Sequence, residues 1–485
     1  MKSRNFLLGI FVFSIFGILF SAVPRESQAI PPFARKYATS CPTCHVVFPK
    51  LNAFGRQFRA NGYRIPVGEE MFVKDEPAGG QMSLGAKPWK KLFPNAIWPS
   101  DIAGTAPIGA FVDQRINMNF NDRPGTSNSP RITFEGIHEV ELLVGGTFGE
   151  RFSFFGDPIL WEGEGASNPD HAIGRLFIAY NRSPLINLRF GRIEPRAVEP
   201  FTNHRRWIRL NKPLWNDQPT IAPNGKTLHK FTFQTSEGFE LFGGKEFGRH
   251  GIQYAVGILN GKGPTSSISS GQTHETNSDK DWYVTLSWKI GGMGVIGRDD
   301  ETEELVQTQN WRDDSVKFRG FFYQGVTDVP KDFANTPNDI TSGNHFIRTG
   351  LSADIFYGDA NIMIGAQFMR DRARDVEAAG GTPAWNDNKR NYDAMLYAFG
   401  LEYVVYPWLL PAVRYEIFDP SNYNNIITDD AGNTFEKHSG FQQLTGNISL
   451  LGAANIKMMF EYSTRWDDSA DNNDQTGRVS FNWTF

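Results

Sequence analysis

From about residue 109 to the C-terminus, apolar and polar residues alternate in short runs with the two-residue period of a β-strand. Between Trp282 and Ile290, the residues Trp282, Val284, Leu286, Trp288 and Ile290 share one face, and Tyr283, Thr285, Ser287 and Lys289 share the other. Between Asn455 and Trp466, Ile456, Met458, Phe460 and Tyr462 oppose Lys457, Met459, Glu461 and Arg465. Asn187 and Arg189 alternate with Ile186, Leu188 and Phe190, and Arg414 and Glu416 alternate with Val413, Tyr415 and Ile417. About sixteen such runs can be placed, an even number as a closed single-chain membrane barrel requires. They begin near Gly109, Glu135, Arg151, Ala172, Leu185, Thr232, Gly251, Asp281, Lys317, Phe346, Ala360, Ala394, Leu409, Gln442, Asn455 and Gly477.

The connections carry a second pattern. Short turns follow every second run, at Phe148–Glu150, Asn181–Pro184, Phe247–His250, Tyr357–Asp359, Tyr406–Trp408 and Gly452–Ala454. Long polar loops lie between them, as at Gly263–Lys280, Asp371–Asp393 and Asp419–Phe441. Short turns on the periplasmic side and long loops outside are the asymmetry of such a barrel. Gly291–Ser315 departs from it, being long and acidic (Asp299, Asp300, Glu301, Glu303, Glu304) where a short turn is due. It implies either a missed pair of strands or one extended periplasmic loop.

Mean hydropathy is −0.39, and no apolar run long enough for a membrane helix follows residue 23. That excludes a helical membrane protein and leaves a barrel open. At the N-terminus, Lys2 and Arg4 precede an apolar run from Phe6 to Val23, and Ser27-Gln28-Ala29 offers small residues for cleavage. Residues 1–29 therefore read as a secretory signal peptide; the plainer alternative is an uncleaved anchor. At the other end Val479, Phe481, Trp483 and Phe485 alternate with Arg478, Ser480, Asn482 and Thr484, which resembles the closing strand of bacterial outer-membrane barrels. Residues 101–485 are thus expected to form an outer-membrane antiparallel β-barrel in contact with lipid. The alternative is a soluble periplasmic β-protein.

The two cysteines of the chain both lie in Cys41-Pro42-Thr43-Cys44-His45. C-x-x-C-H is the attachment pattern of c-type haem: two thiols add to the vinyl groups and the adjacent imidazole ligates the iron. A structural zinc site would need further ligands nearby, yet the next histidine is His138. A thioredoxin-type pair would follow a strand in a βαβ unit, which the flanking sequence does not resemble. One covalent haem c on Cys41 and Cys44, with His45 as axial ligand, is the expectation. Residues 30–100 then form a small α-helical haem segment and a connector rich in Pro and Gly (Pro77, Gly79, Gly80, Pro88, Pro94). A helix is predicted over Val47–Asn61, with Leu51, Phe54 and Phe58 against the haem and Gly62 at its C-terminal stop. Arg56 and Arg59 are candidate partners of the haem propionates. For the distal position the segment offers Met71 or Met82; His138 or an open site are alternatives.

A barrel of about sixteen strands has a lumen wide enough for a plug. A haem outside it could not carry electrons across an apolar band of ~25 Å. The haem segment is therefore expected inside the lumen, reached from the periplasmic side.

Phe33-Ala34-Arg35-Lys36-Tyr37, then C-P-T-C-H, then Phe48-Pro49-Lys50-Leu51-Asn52-Ala53-Phe54-Gly55-Arg56 and Asn61-Gly62-Tyr63, is similar to the haem segment of outer-membrane monohaem cytochrome c–porin fusions. That family includes iron-oxidising outer-membrane cytochromes. The likeness covers about the first seventy residues after the signal; beyond them it is one of architecture. It implies an Fe(II)-oxidising cytochrome that takes electrons from extracellular Fe(II) and passes them to a periplasmic cytochrome or another soluble carrier. The residues it transfers are Cys41, Cys44 and His45; no iron-binding motif maps onto the barrel. The isoelectric point near 6.2 resembles relatives from neutral rather than acidic habitats.

Two other functions compete: the same conduit run outward to an extracellular acceptor, and a diffusion porin whose haem segment is a plug. Asp467, Asp468, Asp471 and Asp474 form an acidic external loop that could attract cations, though solvated loop charge explains it as well. With a net charge of −4, nothing points to nucleic acid.

Overall fold

The computed structural model describes residues 32–37, 41–64, 108–120, 132–148, 151–162, 173–196, 235–260, 279–295, 309–330, 340–373, 392–420, 424–428, 434–438, 440–453, 455–467 and 474–484. The expected signal peptide, Met71, Met82, the Pro- and Gly-rich connector, the acidic run Asp299–Glu304, Asp468 and Asp471 lie outside the described residues.

Sixteen strands form one closed antiparallel barrel in which sequence neighbours are spatial neighbours. It closes between the last strand, Asp474–Thr484, and the first, Ile108–Asn119, with Thr484 opposite Phe111 and Thr476 opposite Asn119. Every expected run lies on one of these strands. The widest offset is at Phe346, in a strand that begins at Ile340. The two-residue period is obeyed. In Lys280–Gly291 the side chains of Asp281, Tyr283, Thr285, Ser287 and Lys289 are buried in the lumen, while Trp282, Val284, Leu286 and Trp288 are exposed on the outer surface. Asn187, Arg189, Arg414 and Glu416 likewise point inward. A closed ladder leaves no unpaired edge, and an apolar outer face over an ionic lumen suits a lipid bilayer.

No pair of barrel strands was missed between Gly291 and Ser315, because the strands ending and starting there pair directly, Gly291 opposite Ser315. The loop Asp419–Phe441 carries a hairpin that the polar sequence did not suggest, Asn424–Thr428 with Thr434–His438.

The lumen holds residues 32–37 and 41–64. Helix α1 (Pro32–Lys36) leads to a 3-10 turn over Cys41–Thr43. A two-stranded hairpin follows, β1 (His45–Val47) with β2 (Lys50–Leu51), and then helix α2 (Ala53–Ala60). The helix predicted over Val47–Asn61 thus starts six residues late. Pro49 lacks an N–H and sits in the hairpin turn, and Asn52 caps the true N-terminus by accepting from Gly55 N at 2.9 Å. The predicted stop is where expected. Gly62 has φ +81°, Gly62 N donates to Arg59 O and Tyr63 N to Phe58 O, the paired bonds of a Schellman cap.

Aromatic packing seats the segment on the wall. Phe33 meets Phe58 edge-on at 5.0 Å, and Tyr63 stacks on Phe155 of the wall at 4.3 Å. Gly145 makes room for this, since a Cβ there would lie 2.6 Å from the Phe33 ring.

Candidate functional site: the C-x-x-C-H loop in the barrel lumen

One asparagine organises the loop. The Asn52 amide donates to Pro42 O and Thr43 O, both at 3.0 Å, while its oxygen caps α2 and its backbone N–H donates to Cys44 O. A side chain that satisfies two loop carbonyls and one orphan helix donor fixes the loop against the helix. Gly55 completes the contact. Its ideal Cβ would stand 2.0 Å from Cys44 O, so only glycine lets α2 approach so closely.

The extended connection supplies a second clasp. Asn310 donates to Pro42 O at 2.6 Å and to His45 O at 2.7 Å. Its neighbour Trp311 packs with Val46, Val47, Val404 and Leu410, and donates to Asp359 at 2.8 Å. From the opposite wall Lys457 donates to Phe48 O at 2.6 Å. Lys50 pairs with Glu402 and donates to Asn361 at 3.0 Å, both partners deep in the wall.

Arg56 and Arg59 are taken up by wall carboxylates: Arg56 pairs with Asp354 and lies over the Phe356 ring, and Arg59 pairs with Glu194 at 2.7 Å. His138, the barrel alternative for a distal ligand, is buried with Nδ1 2.7 Å from Glu135 Oε2.

Cys41, Cys44 and His45 come together in one enclosed loop. Burial raises the Cys41 thiol, and pushes Cys44 up to about 12 with help from the neighbouring Cys41. Both stay protonated and unreactive as free thiols at neutral pH. Burial, more than the nearby cation Lys457, lowers His45 to about 4 against the pull of the Lys50 and Pro49 backbone. Its imidazole is therefore neutral, and Nδ1 is enclosed with no hydrogen-bond partner among the described residues. A neutral imidazole with an unsatisfied ring nitrogen beside two cysteines suits a porphyrin iron. The donor set and the orphaned nitrogen fit haem c.

Height in the barrel follows from the contacts. Asn361, Asp354, Lys457, Ser153 and Asn310 all belong to the short-turn end or its connections. The loop thus lies near the short-turn rim and not midway. Above Asp354 the wall continues to Ile340, roughly 35 Å at ordinary strand rise and tilt. Sequence reasoning missed Asn52 and Asn310. Asn52 carried a readable signal, a capping residue just before a helical run. Asn310 carried none.

No family model matches the chain, and no curated protein does. Among solved structures it is similar to an anion-selective porin from Comamonas acidovorans, at 10% identity and TM-score 0.45 over 78% of this chain and 98% of that one. It is also similar to a loop-deletion mutant of OmpT, an outer membrane protein of Vibrio cholerae (10%, 0.45, 79% and 100%). The outer membrane channel DcaP of Acinetobacter baumannii is comparable (14%, 0.44, 78% and 96%). Likeness this distant says nothing of what the chain binds or does.

Proposed function

We propose that this protein is an outer-membrane electron-transfer barrel of the monohaem cytochrome c–porin kind, taking electrons from extracellular Fe(II) and delivering them to a periplasmic cytochrome. The observation that carries the reading is a C-x-x-C-H loop clasped inside a closed barrel, its histidine neutral and unsatisfied at Nδ1. Cys41 and Cys44 would carry the thioether links and His45 the iron. Haem c, when bound, supplies reversible one-electron exchange. The chain's own groups do the rest. Asn52, Asn310 and Lys457 hold the loop carbonyls, Gly55 keeps α2 against it, and the ion pairs of Lys50, Arg56 and Arg59 lock the segment to the wall.

Position supports the direction. A loop beside the short-turn rim is well placed for a periplasmic acceptor. A donor from outside must come down the lumen, which suits a hydrated metal ion better than a bulky reductant.

The test is stopped-flow mixing of the purified ferric holo-protein with Fe(II). Reduction of the haem on the millisecond-to-second scale is expected. Reduction by a periplasmic carrier but not by Fe(II) would overturn the iron reading and favour an outward conduit.

A further inference from the structure

The His45 ring sits against one sector of the wall, where the barrel closes. Its centroid is 5.2 Å from that of Phe48, which meets Phe111 of the first strand at 5.3 Å. Lys457, on the strand Ile456–Asp467, donates to Phe48 O at 2.6 Å and acts electrostatically on His45.

This sector of the lumen is polar. Asn447, Ser449, Glu461, Ser480, Asn482 and Asp113 are all buried on its inner face. Met459 stands among them, buried, opposite Ser449 on one neighbouring strand and Ser480 on the other. It is the next lumen-facing position after Lys457, about 7 Å further from the short turn.

A methionine buried in a wall is ordinarily a packing residue. Met363 and Met369 are so used, both in the large apolar cluster of the lumen. Met458 lies on the outer face of its strand, opposite Phe481. Met459 joins neither apolar cluster formed by the described residues. Its polar neighbours bond to one another: Asp113 accepts from Ser480 and, at 2.7 Å, from Asn482. A thioether among serines and asparagines forgoes the apolar packing that is its usual use. What it offers instead is a soft donor that can be buried without desolvating an ion.

We propose that Met459 supplies the second axial ligand of the haem iron, opposite His45. The inference rests on the haem reading of the C-x-x-C-H loop. Plug and wall then each hold one side of the cofactor. A His–Met pair raises the haem potential, which favours electron uptake from the external donor.

The test uses the full chain in detergent, with its haem counted first by the pyridine haemochrome. The ferric protein should show the weak far-red sulfur-to-iron charge-transfer band of a His–Met haem. Met459→Leu, which keeps the side-chain volume, should abolish the band and lower the midpoint potential, with haem attached and heat-modifiable migration unchanged. Met459→His should replace the band by the low-spin spectrum of a bis-imidazole haem. Met363→Leu should leave band and potential as in the parent. A haem-bearing parent without the band, or a band kept in Met459→Leu, would overturn the proposal; the second result would put the sulfur elsewhere in the chain. A chain that carries no haem would overturn the proposed function and this ligand with it, and the haem count tells the two failures apart.

Discussion

The barrel wall is held by a ladder that repeats on every strand, whereas the plug is held by contacts that each occur once. Along the wall, register, inward ion pairs and outward apolar side chains recur from strand to strand, so the loss of one side chain leaves the pattern intact. In the plug, the Cys41–His45 loop depends on Asn52, on Asn310 and on a glycine with no room for a methyl group. The difference teaches that the wall can tolerate sequence change that the plug cannot, and that the two should fail separately.

The largest effect is expected at His45. His45→Ala removes the proposed axial ligand and, on that reading, should abolish haem redox activity, while heat-modifiable migration and β-sheet circular dichroism remain as in the parent. A variant that also fails to form a barrel would show that plug and wall are not separable.

Lys50→Met comes next, because it strands Glu402 in the wall without its cation. A broken buried pair costs about 3–5 kcal/mol. Hydrogen exchange should rise across residues 41–64 and stay low in the strands. Uniform protection throughout would mean that the ion pair does not anchor the plug.

On the wall, Leu286→Arg places a charge on the outer face and should cost about 2–4 kcal/mol near mid-bilayer. Thr285→Ala, one residue along but facing the lumen, should cost about 1 kcal/mol through its bond to Arg196 O. Folding titrations in lipid vesicles check the contrast; equal costs would contradict the assigned faces. Smallest is Asn310→Ala, which takes a donor from His45 O and leaves Pro42 O to Asn52. A loss of about 0.5–1 kcal/mol should appear as faster amide exchange confined to residues 41–45.

How much of this was legible in the sequence follows from the same contrast. The strands were readable because burial on one side imposes a two-residue period that no other structure satisfies. The closeness of Cys41, Cys44 and His45 was readable because the C-x-x-C-H spacing itself places them in one loop; the haem chemistry proposed for it rests on that spacing. The start of α2 was misread because apolar spacing runs through Val47 and Phe48, while the local bonds of Asn52 decide the boundary. The carboxylate partners of Arg56 and Arg59 were not legible because Asp354 and Glu194 are 298 and 135 residues away. Gly291–Ser315 stood out as too long for its place, but nothing in it signalled that Asn310 would reach the C-x-x-C-H loop 265 residues earlier.

Covalent haem on the chain in its membrane is the most direct test of the central claim. The protein is isolated from the outer-membrane fraction of cells able to make c-type cytochromes, and its intact mass and pyridine haemochrome spectrum are measured. One haem c per chain, retained through denaturation and lost in the Cys41→Ser, Cys44→Ser double variant, is the predicted result. A folded barrel from the same fraction with the mass of the bare polypeptide would contradict it.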